Sequence, residues 1–522
     1  MTRFSANWLD GRARLSFIFF LFLGLAIFAE HSPVCAVERG ERDESLRVAT
    51  PVGGSNFAQP FTRPGNAAVR FAVFDTLTRE DSAGKLGPQL ATSWRMDTPT
   101  SWTFTLRPGV RFHNGVAFSS AAVATTIEIL QKSTGIGFDL ASEVAGIARV
   151  DQIDPLTVRF ILTAPDAILP RRLGLIRIIE AGAWATMGPD AYARNPIGTG
   201  PYRVAAWDDS AASTILESVP ESWRAANAIQ RIEIRDVADA TARVQALLSG
   251  RVDVAFALSP DDISVLESAG ARAHVFPGPM VMSLTMRNVE GTHPAFHDER
   301  VRRALNYAID RASISNQIMS GAMKPAGMGF TAGVTGYNPS IEPFTYDPDR
   351  AKKLLAEAGY PDGFKFVAGV TLGQVPNDTA VFQSVAQDLK RIGVVAELRT
   401  LTFPDFLERL TSGRWNDISV FSMLWGAATY ADAYRYLERH SCLNAVRYFC
   451  EPQITPKLER ARLIADPLER EQALQALVAD YQRLAPAIWI LEYASIIGTA
   501  RKLSGLDLAF EGIYFERLHW DD

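Results

Sequence analysis

The sequence predicts an α/β fold divided into two or three lobes. Three observations carry this. Apolar, β-branched segments alternate with amphipathic helical stretches, first across 232–257 and again across 381–423. The chain has 522 residues, more than one hydrophobic core fills. A break at Pro277 and Pro279 stands between the two α/β series.

The front of the chain reads as a leader. Arg3, Arg12 and Arg14 precede an apolar run over 15–28, too short to span a bilayer comfortably. Cleavage is expected after Ala36, in Val34-Cys35-Ala36, or after Ala29, so 1–36 is set aside as a secretory signal peptide. An uncleaved anchor is the alternative. A lipoprotein would need a small residue where Val34 precedes Cys35. No second apolar stretch approaches membrane length, so the mature chain, roughly 485 residues, is expected to be soluble and exported. The formal net charge is −5 with both signs mixed along the chain, and no basic stripe with interleaved aromatics argues for nucleic acid. Of three cysteines, Cys35 lies in the leader, while Cys442 and Cys450 are eight apart. In an exported protein that spacing suggests a disulfide closing a small loop, with a free thiol pair as the alternative. A metal site would need more ligands nearby than His440.

In chain order, 46–52 is an apolar strand ending in Gly53-Gly54-Ser55-Asn56, a loop able to approach a ligand with its backbone or to serve as a plain surface turn. Residues 70–77 suit a short helix. Trp102, Phe104 and Leu106 alternate with polar neighbours as a half-buried strand, and turns follow at Pro108-Gly109 and Asn114-Gly115. Ser119 or Ser120 can cap a helix whose inner face is Val123, Ile127 and Leu130. Residues 157–162 alternate as a strand. Asn195-Pro196-Ile197-Gly198-Thr199-Gly200-Pro201-Tyr202 is a turn entering a strand, not a phosphate loop, since no Lys-Ser/Thr follows. Ile232 and Ile234 mark a strand. A helix over 240–249 puts Val244, Leu247 and Leu248 inward and stops at Gly250; strands are expected over 252–257 and 280–288.

Asp298 caps a helix with Val301, Ala304, Leu305, Ala308 and Ile309 on one face. His293 and His297 have a metal-pair spacing, but Pro294 opposes a helix there and no third ligand is near, so structural histidines are expected. Asp347-Pro348 opens a helix with Ala351, Leu354, Leu355 and Ala358 inward and Gly359 beyond its end. Helix 381–392, strand 394–398, helix 404–410 and strand 418–423 make the second series α/β as well. Asp466 and Glu469 have capping-box spacing for a helix reaching about Leu484. Residues 488–492 are a strand returning to the first lobe, and the tail through Phe515 completes it.

The wording of several stretches is more specific than their structure. LGPQLATSW…TFTLRPGVRFHNGVAFSSAAVA, the GTGPY turn at 198–202, ARVQALLSGRVDVAF, HPAFHDERVRRALNYAIDR and YDPDRAKKLLAEAGYPDGF together resemble the extracytoplasmic solute-binding proteins of family 5. These are the peptide-, dipeptide- and nickel-type receptors of ABC importers. The resemblance runs from about Leu46 to Leu508. It implies a two-lobed periplasmic binding protein fold of type II, in the enlarged peptide-receptor class, with an extra subdomain in the first lobe. The first lobe is then 46–69, 197–277 and 492–522, the extra subdomain 70–196, and the second lobe 278–491. It implies a monomeric, non-enzymatic periplasmic receptor without cofactor or metal. Such a receptor closes on a solute by a hinge and delivers it to permease subunits in the inner membrane. It also supports the Cys442–Cys450 bridge, because a cysteine pair follows the ligand-contact segment in the dipeptide receptors.

The same resemblance points to the site. In α/β sheets ligands sit beyond the strand ends, and in the peptide receptors the segment matching Met423, Leu424, Trp425 and Gly426 pairs with an extended ligand like an added strand. Trp425 matches a tryptophan of those receptors. Ala428 stands where they carry an aspartate that holds the ligand's ammonium. Asp432 is the nearest replacement, with Tyr430 beside it; Gly54, Ser55 and Asn56 face the segment from the first lobe, and Tyr493 lies on the returning strand. Core packing is the competing reading for Trp425, Tyr430 and Asp432. The ligand stays open between peptide, opine-like conjugate, sugar conjugate and metal chelate. A secreted hydrolase would need a nucleophile elbow or a metal triad, and neither G-x-S-x-G nor H-E-x-x-H occurs. A periplasmic chaperone or sensor on the same fold is the third reading.

Overall fold

The computed structural model describes residues 44–51, 58–61, 67–81, 84–133, 138, 140–208, 212–225, 228–426, 431–464, 466–509 and 512–521. The leader, Gly54, Ser55, Asn56, Ala428 and Tyr430 lie outside them. No described helix is long and apolar enough to cross a membrane.

Strand β1 (Ser45–Thr50) opens the described chain. A short hairpin, β2 (Thr78–Glu80) and β3 (Leu86–Pro88), leads into a separate antiparallel sheet of order β4-β5-β7-β6. Its members are β4 (Ala91–Thr98), β5 (Ser101–Leu106), β6 (Ile147–Asp154) and β7 (Thr157–Leu162). Trp102, Phe104 and Leu106 are buried as the alternation requires, and the helix Ser120–Lys132 packs Val123, Ile127 and Leu130 inward. Ser119 is its N-cap residue, but its side chain makes no capping bond; the Ser120 hydroxyl instead donates to Asp154 O. The expected helix over 70–77 sits earlier, at Ala67–Val73, because the chain after Phe74 turns into β2.

The main sheet has ten strands. The remaining members are β8 (Tyr202–Asp208), β9 (Ser213–Ser218), β10 (Arg231–Asp236), β11 (Val254–Ala255), β12 (Arg272–Met286), β13 (Lys365–Thr371), β14 (Val395–Leu401), β15 (Ile418–Gly426) and β16 (Ala487–Thr499). The order is β14-β13-β15-β12-β16-β11-β1-β10-β9-β8. Parallel triplets sit towards either end: β10 and β11 flank β1, and β14 and β15 flank β13. The antiparallel pair β12 and β16 joins them. Each triplet is covered by the helices that connect it, as parallel strands require.

Two strands are much longer than the sequence suggested. β12 starts at Arg272 rather than near Met280, and β16 runs on to Thr499. Pro277, Gly278 and Pro279 do not stop β12. They sit in a break of register, since Pro277 pairs Ala494 whereas Val281 pairs Glu492. A bulge absorbs the prolines that a regular ladder would reject. Conversely β11 has two residues where six were expected: Asp253 and Phe256 on either side still donate to β1, at Arg47 O and Ala49 O, but the ladder itself is confined to Val254 and Ala255.

The hydrophobic cores divide at this same place. One cluster takes Val281 of β12 and β16 up to Ala494, with the elements between. Another takes Leu46, Val48, the small sheet and, beyond the bulge, Ile497. A third, smaller cluster under β1 and β11 takes Val244, Leu247 and Ile496. The fold is thus two-lobed, with β12 and β16 running through both lobes. Helix starts are capped where expected: Asp298 accepts from Arg300 N, Asp347 from Arg350 N and Asp466 from Glu469 N. His293 likewise accepts from Ala295 N at the head of a short turn. Cys442 and Cys450 form a disulfide, S–S 2.06 Å.

Candidate functional site

β15 delivers the expected contact segment to the middle of the sheet. Along one edge it pairs with β12 over its length, Gly426 opposite Met280 and Met423 opposite Ser283. Along the other edge β13 accompanies it only as far as Phe421. Past that point Thr371 N–H donates to the Ser422 hydroxyl at 2.8 Å, and among the described residues no strand covers the rest of that edge. Met423 and Leu424 are half-buried there. Backbone left unpaired at a strand edge is what an added strand or a polar solute would satisfy.

Gly426 ends the strand at φ 147°, a conformation other residues rarely adopt. It also approaches β12 closely: a Cβ there would lie 2.0 Å from Pro279 O. On the other side of the bulge, a Cβ on Gly278 would lie 2.7 Å from Tyr493 Cδ1. Residues 278–280 therefore gather Gly426 and Tyr493 around the passage between the lobes. Burial raises the Tyr493 phenol above its ordinary value. The neighbouring Glu492 carboxyl is also raised by burial, against the pull of Lys324.

The structure withdraws the Trp425 side chain from ligand contact. The strand continues through Gly426, so Trp425 points to the inner face and is fully buried. Its Nε1 donates to Thr285 Oγ1 at 2.9 Å, and its ring lies 3.6 Å from that of His440 and edge-on to Trp489 at 4.5 Å. Gly329 closes over it, where a Cβ would lie 2.3 Å from Cε3. Only its backbone is left to a ligand.

Asp432 is not a free carboxylate either. It is 1 % exposed and bonds Arg470 twice, Oδ2 to Nε at 3.0 Å and Oδ1 to Nη2 at 3.1 Å. Oδ1 also accepts from Tyr434 N at 2.9 Å. A carboxylate held in this way serves the packing of the lobe, the reading that competed in the sequence with its role as a replacement ammonium anchor. Nothing in the sequence signals the partner, since Arg470 lies 38 residues away inside a helix.

A set of charges unforeseen in the sequence borders the segment. Arg171 pairs with Glu80, and Arg172 with Glu143 at 2.6 Å and Asp166 at 2.8 Å, all on the N-terminal lobe. Glu80 Oε2 accepts from Ala431 N, 2.8 Å, and Arg435 Nη1 reaches Glu143 Oε1, 2.9 Å. Among the described residues no group of three or more His, Cys, Asp or Glu side chains is placed to hold a metal ion.

The comparisons agree with this architecture. Heme-binding protein A of Haemophilus influenzae is 27 % identical over 361 residues, 62 % of this chain and 64 % of that protein, so the chain spans just under two thirds of this relative's length. The glutathione-binding protein GsiB of Salmonella typhimurium is 28 % identical over 363 residues, 67 % of this chain and 68 % of that one. In fold, the chain is similar to NikA from Brucella suis, solved in complex with Fe(III)-EDTA, with TM-score 0.80 at 21 % identity over 92 % of this chain and 100 % of that one. Residues 85–444, well over half of the sequence, match the family described as bacterial extracellular solute-binding proteins, family 5 Middle, and the chain belongs to that family.

Proposed function

We propose that this chain is the periplasmic substrate-binding subunit of an ABC importer. It captures a small solute between its lobes, closes on it about 277–281 and 492–494, and hands it to permease subunits in the inner membrane. It acts as a monomer, binds without turning its solute over, and reaches the periplasm by loss of its leader. The observation that carries this reading is the uncovered edge of β15 past Phe421, set beside a register break shared by two lobes with separate cores. An edge strand supplies main-chain hydrogen bonds, and a break in an otherwise continuous sheet supplies the place to bend. Met423, Leu424, the Trp425 backbone, Gly426 and Tyr493 are the residues proposed to line the solute from the C-terminal lobe and the passage. Gly54, Ser55, Asn56 and Tyr430 are proposed to meet it from the ends of β1 and β15.

The solute we propose has no buried free ammonium. From Met423 to Thr429 the segment has no ionisable side chain, and Asp432 is held by Arg470. An ammonium taken from water without a carboxylate keeps a penalty of several kcal/mol. The relative named for heme and the structure holding Fe(III)-EDTA support a carboxylate-rich or chelate-type solute without an ammonium group. The test is mass spectrometry of whatever co-purifies, followed by calorimetry with hemin, glutathione, Fe(III)-EDTA and a panel of free-amine di- and tripeptides. Binding of hemin or Fe(III)-EDTA, with glutathione and the other free-amine peptides at least a hundredfold weaker, is expected. Micromolar binding of dipeptides that depends on their free N-terminus would refute the specificity.

A further inference from the structure

Three polar contacts cross from lobe to lobe at one place, the stretch 431–435 and Thr335 bonded to it, just beyond β15. Ala431 N–H donates to Glu80 Oε2 at 2.8 Å. Thr335 Oγ1 accepts from Arg171 Nη2 at 3.0 Å. Arg435 Nη1 reaches Glu143 Oε1 at 2.9 Å. The target is rigid. Thr335 N bonds Ala431 O at 2.9 Å, Ala433 N bonds Thr335 O at 3.0 Å, and the Asp432–Arg470 pair lies beneath. Gly84 marks how closely the lobes approach here. It has φ +74°, and a Cβ on it would lie 2.3 Å from Gly333 O and 2.8 Å from Ala431 Cβ.

Each of these contacts adds to a pair that is already complete within the N-terminal lobe. Glu80 keeps Arg171 and Glu143 keeps Arg172 when the lobes part. Opening therefore strands no buried charge on that lobe, and the N–H and hydroxyl left behind on the other pass to water. Contacts built in this way bias a two-state equilibrium without locking it.

We propose that Glu80, Arg171 and Glu143 form a latch that positions the ligand-contact segment. They bind Ala431, Thr335 and Arg435 only when the lobes are together, and so set the closed-state population and the rate at which a captured solute escapes. They are positioning residues and do not touch the solute. The inference rests on the receptor reading above, because it requires lobes that open. A second crossing, Asp261 to Ser320 Oγ and Asn377 Nδ2, both at 3.3 Å among exposed groups, serves as the control.

The test uses the full chain without added solute. Spin labels at Val116→Cys and Leu407→Cys, exposed positions on opposite lobes, report the lobe separation by pulsed electron resonance. Thr335→Val and Arg435→Gln remove contacts from the C-terminal lobe only and leave both N-terminal pairs intact. Each is expected to lower the closed-to-open ratio about three- to tenfold, as loss of one part-exposed hydrogen bond of ordinary net strength implies. Gly84→Ala should act as a wedge and lower it further, while Asn377→Ala should change it less than twofold. Two separations whose populations the first three variants leave unchanged would overturn the latch and spare the receptor reading. A single fixed separation in wild type and every variant would overturn both.

Discussion

Asp432→Ala is expected to unsettle the C-terminal lobe rather than abolish a ligand anchor. The wild-type carboxylate gives both oxygens to Arg470, and the two side chains are 1 % and 6 % exposed. Alanine leaves Nε and Nη2 of Arg470 without those acceptors, while Nη1 stays tied to Ala461 O at 2.7 Å, which prevents the guanidinium from swinging out to water. Breaking a buried pair from one side typically costs about 3–5 kcal/mol. At about 2–4 °C per kcal/mol for a lobe of this size, the melting temperature should fall by roughly 6–20 °C. Calorimetric melting and urea unfolding followed by tryptophan fluorescence read this directly. Asp432→Leu combined with Arg470→Met should recover most of the loss, because neither charge is then stranded. A melting temperature within about 2 °C of wild type for Asp432→Ala, equivalent to less than about 1 kcal/mol, would refute the argument and return Asp432 to the list of ligand groups.

Two further outcomes follow from other places in the fold. Replacing both Cys442 and Cys450 by serine should destabilise the protein by about 2–3 kcal/mol, the chain-entropy value for so short a loop; thiol counting under denaturing, non-reducing conditions should find neither cysteine free in exported material. Burial holds the His440 imidazole well below its ordinary value, so the folded state refuses a proton that the unfolded state takes. Stability should thus be full above pH ~6.5 and decline below it, by up to about 1.4 kcal/mol per pH unit from this group. A His440→Phe variant whose acid profile is as steep as wild type would count against that assignment.

What could be read from the sequence was whatever is decided within a few residues. The alternation of Trp102, Phe104 and Leu106 and the caps at Asp298, Asp347 and Asp466 carry their own physical cause, and they stand as expected. The length of β12 did not, because Pro277-Gly278-Pro279 reads locally as a stop, and only the long pairing with β16 turns it into a bulge. At the site, the segment 423–426 was legible from its wording and from its place at a strand end. The directions of its side chains were not. One extra turn of pleat through Gly426 puts Trp425 inward, and the fate of Asp432 depends on an arginine brought in by a distant helix. The proposed latch is hidden for the same reason, since Arg171 meets Thr335, and Glu143 meets Arg435, only across the finished cleft.

The place of β16 has a consequence for how the chain can be made. It lies between β11 and β12, near the middle of the ten strands, yet it is supplied by Ala487–Thr499, later in the chain than any other strand of that sheet. A chain delivered N-terminus first, by the ribosome or through an export channel, can assemble β1 with β10 and β13 with β14 early. It cannot join the two halves until the last of the ten strands has emerged. Such non-local closure is slow, and here that slowness is useful. A translocation machine that threads unfolded polypeptide meets a substrate whose keystone strand is among the last to arrive, so premature folding is discouraged by connectivity alone.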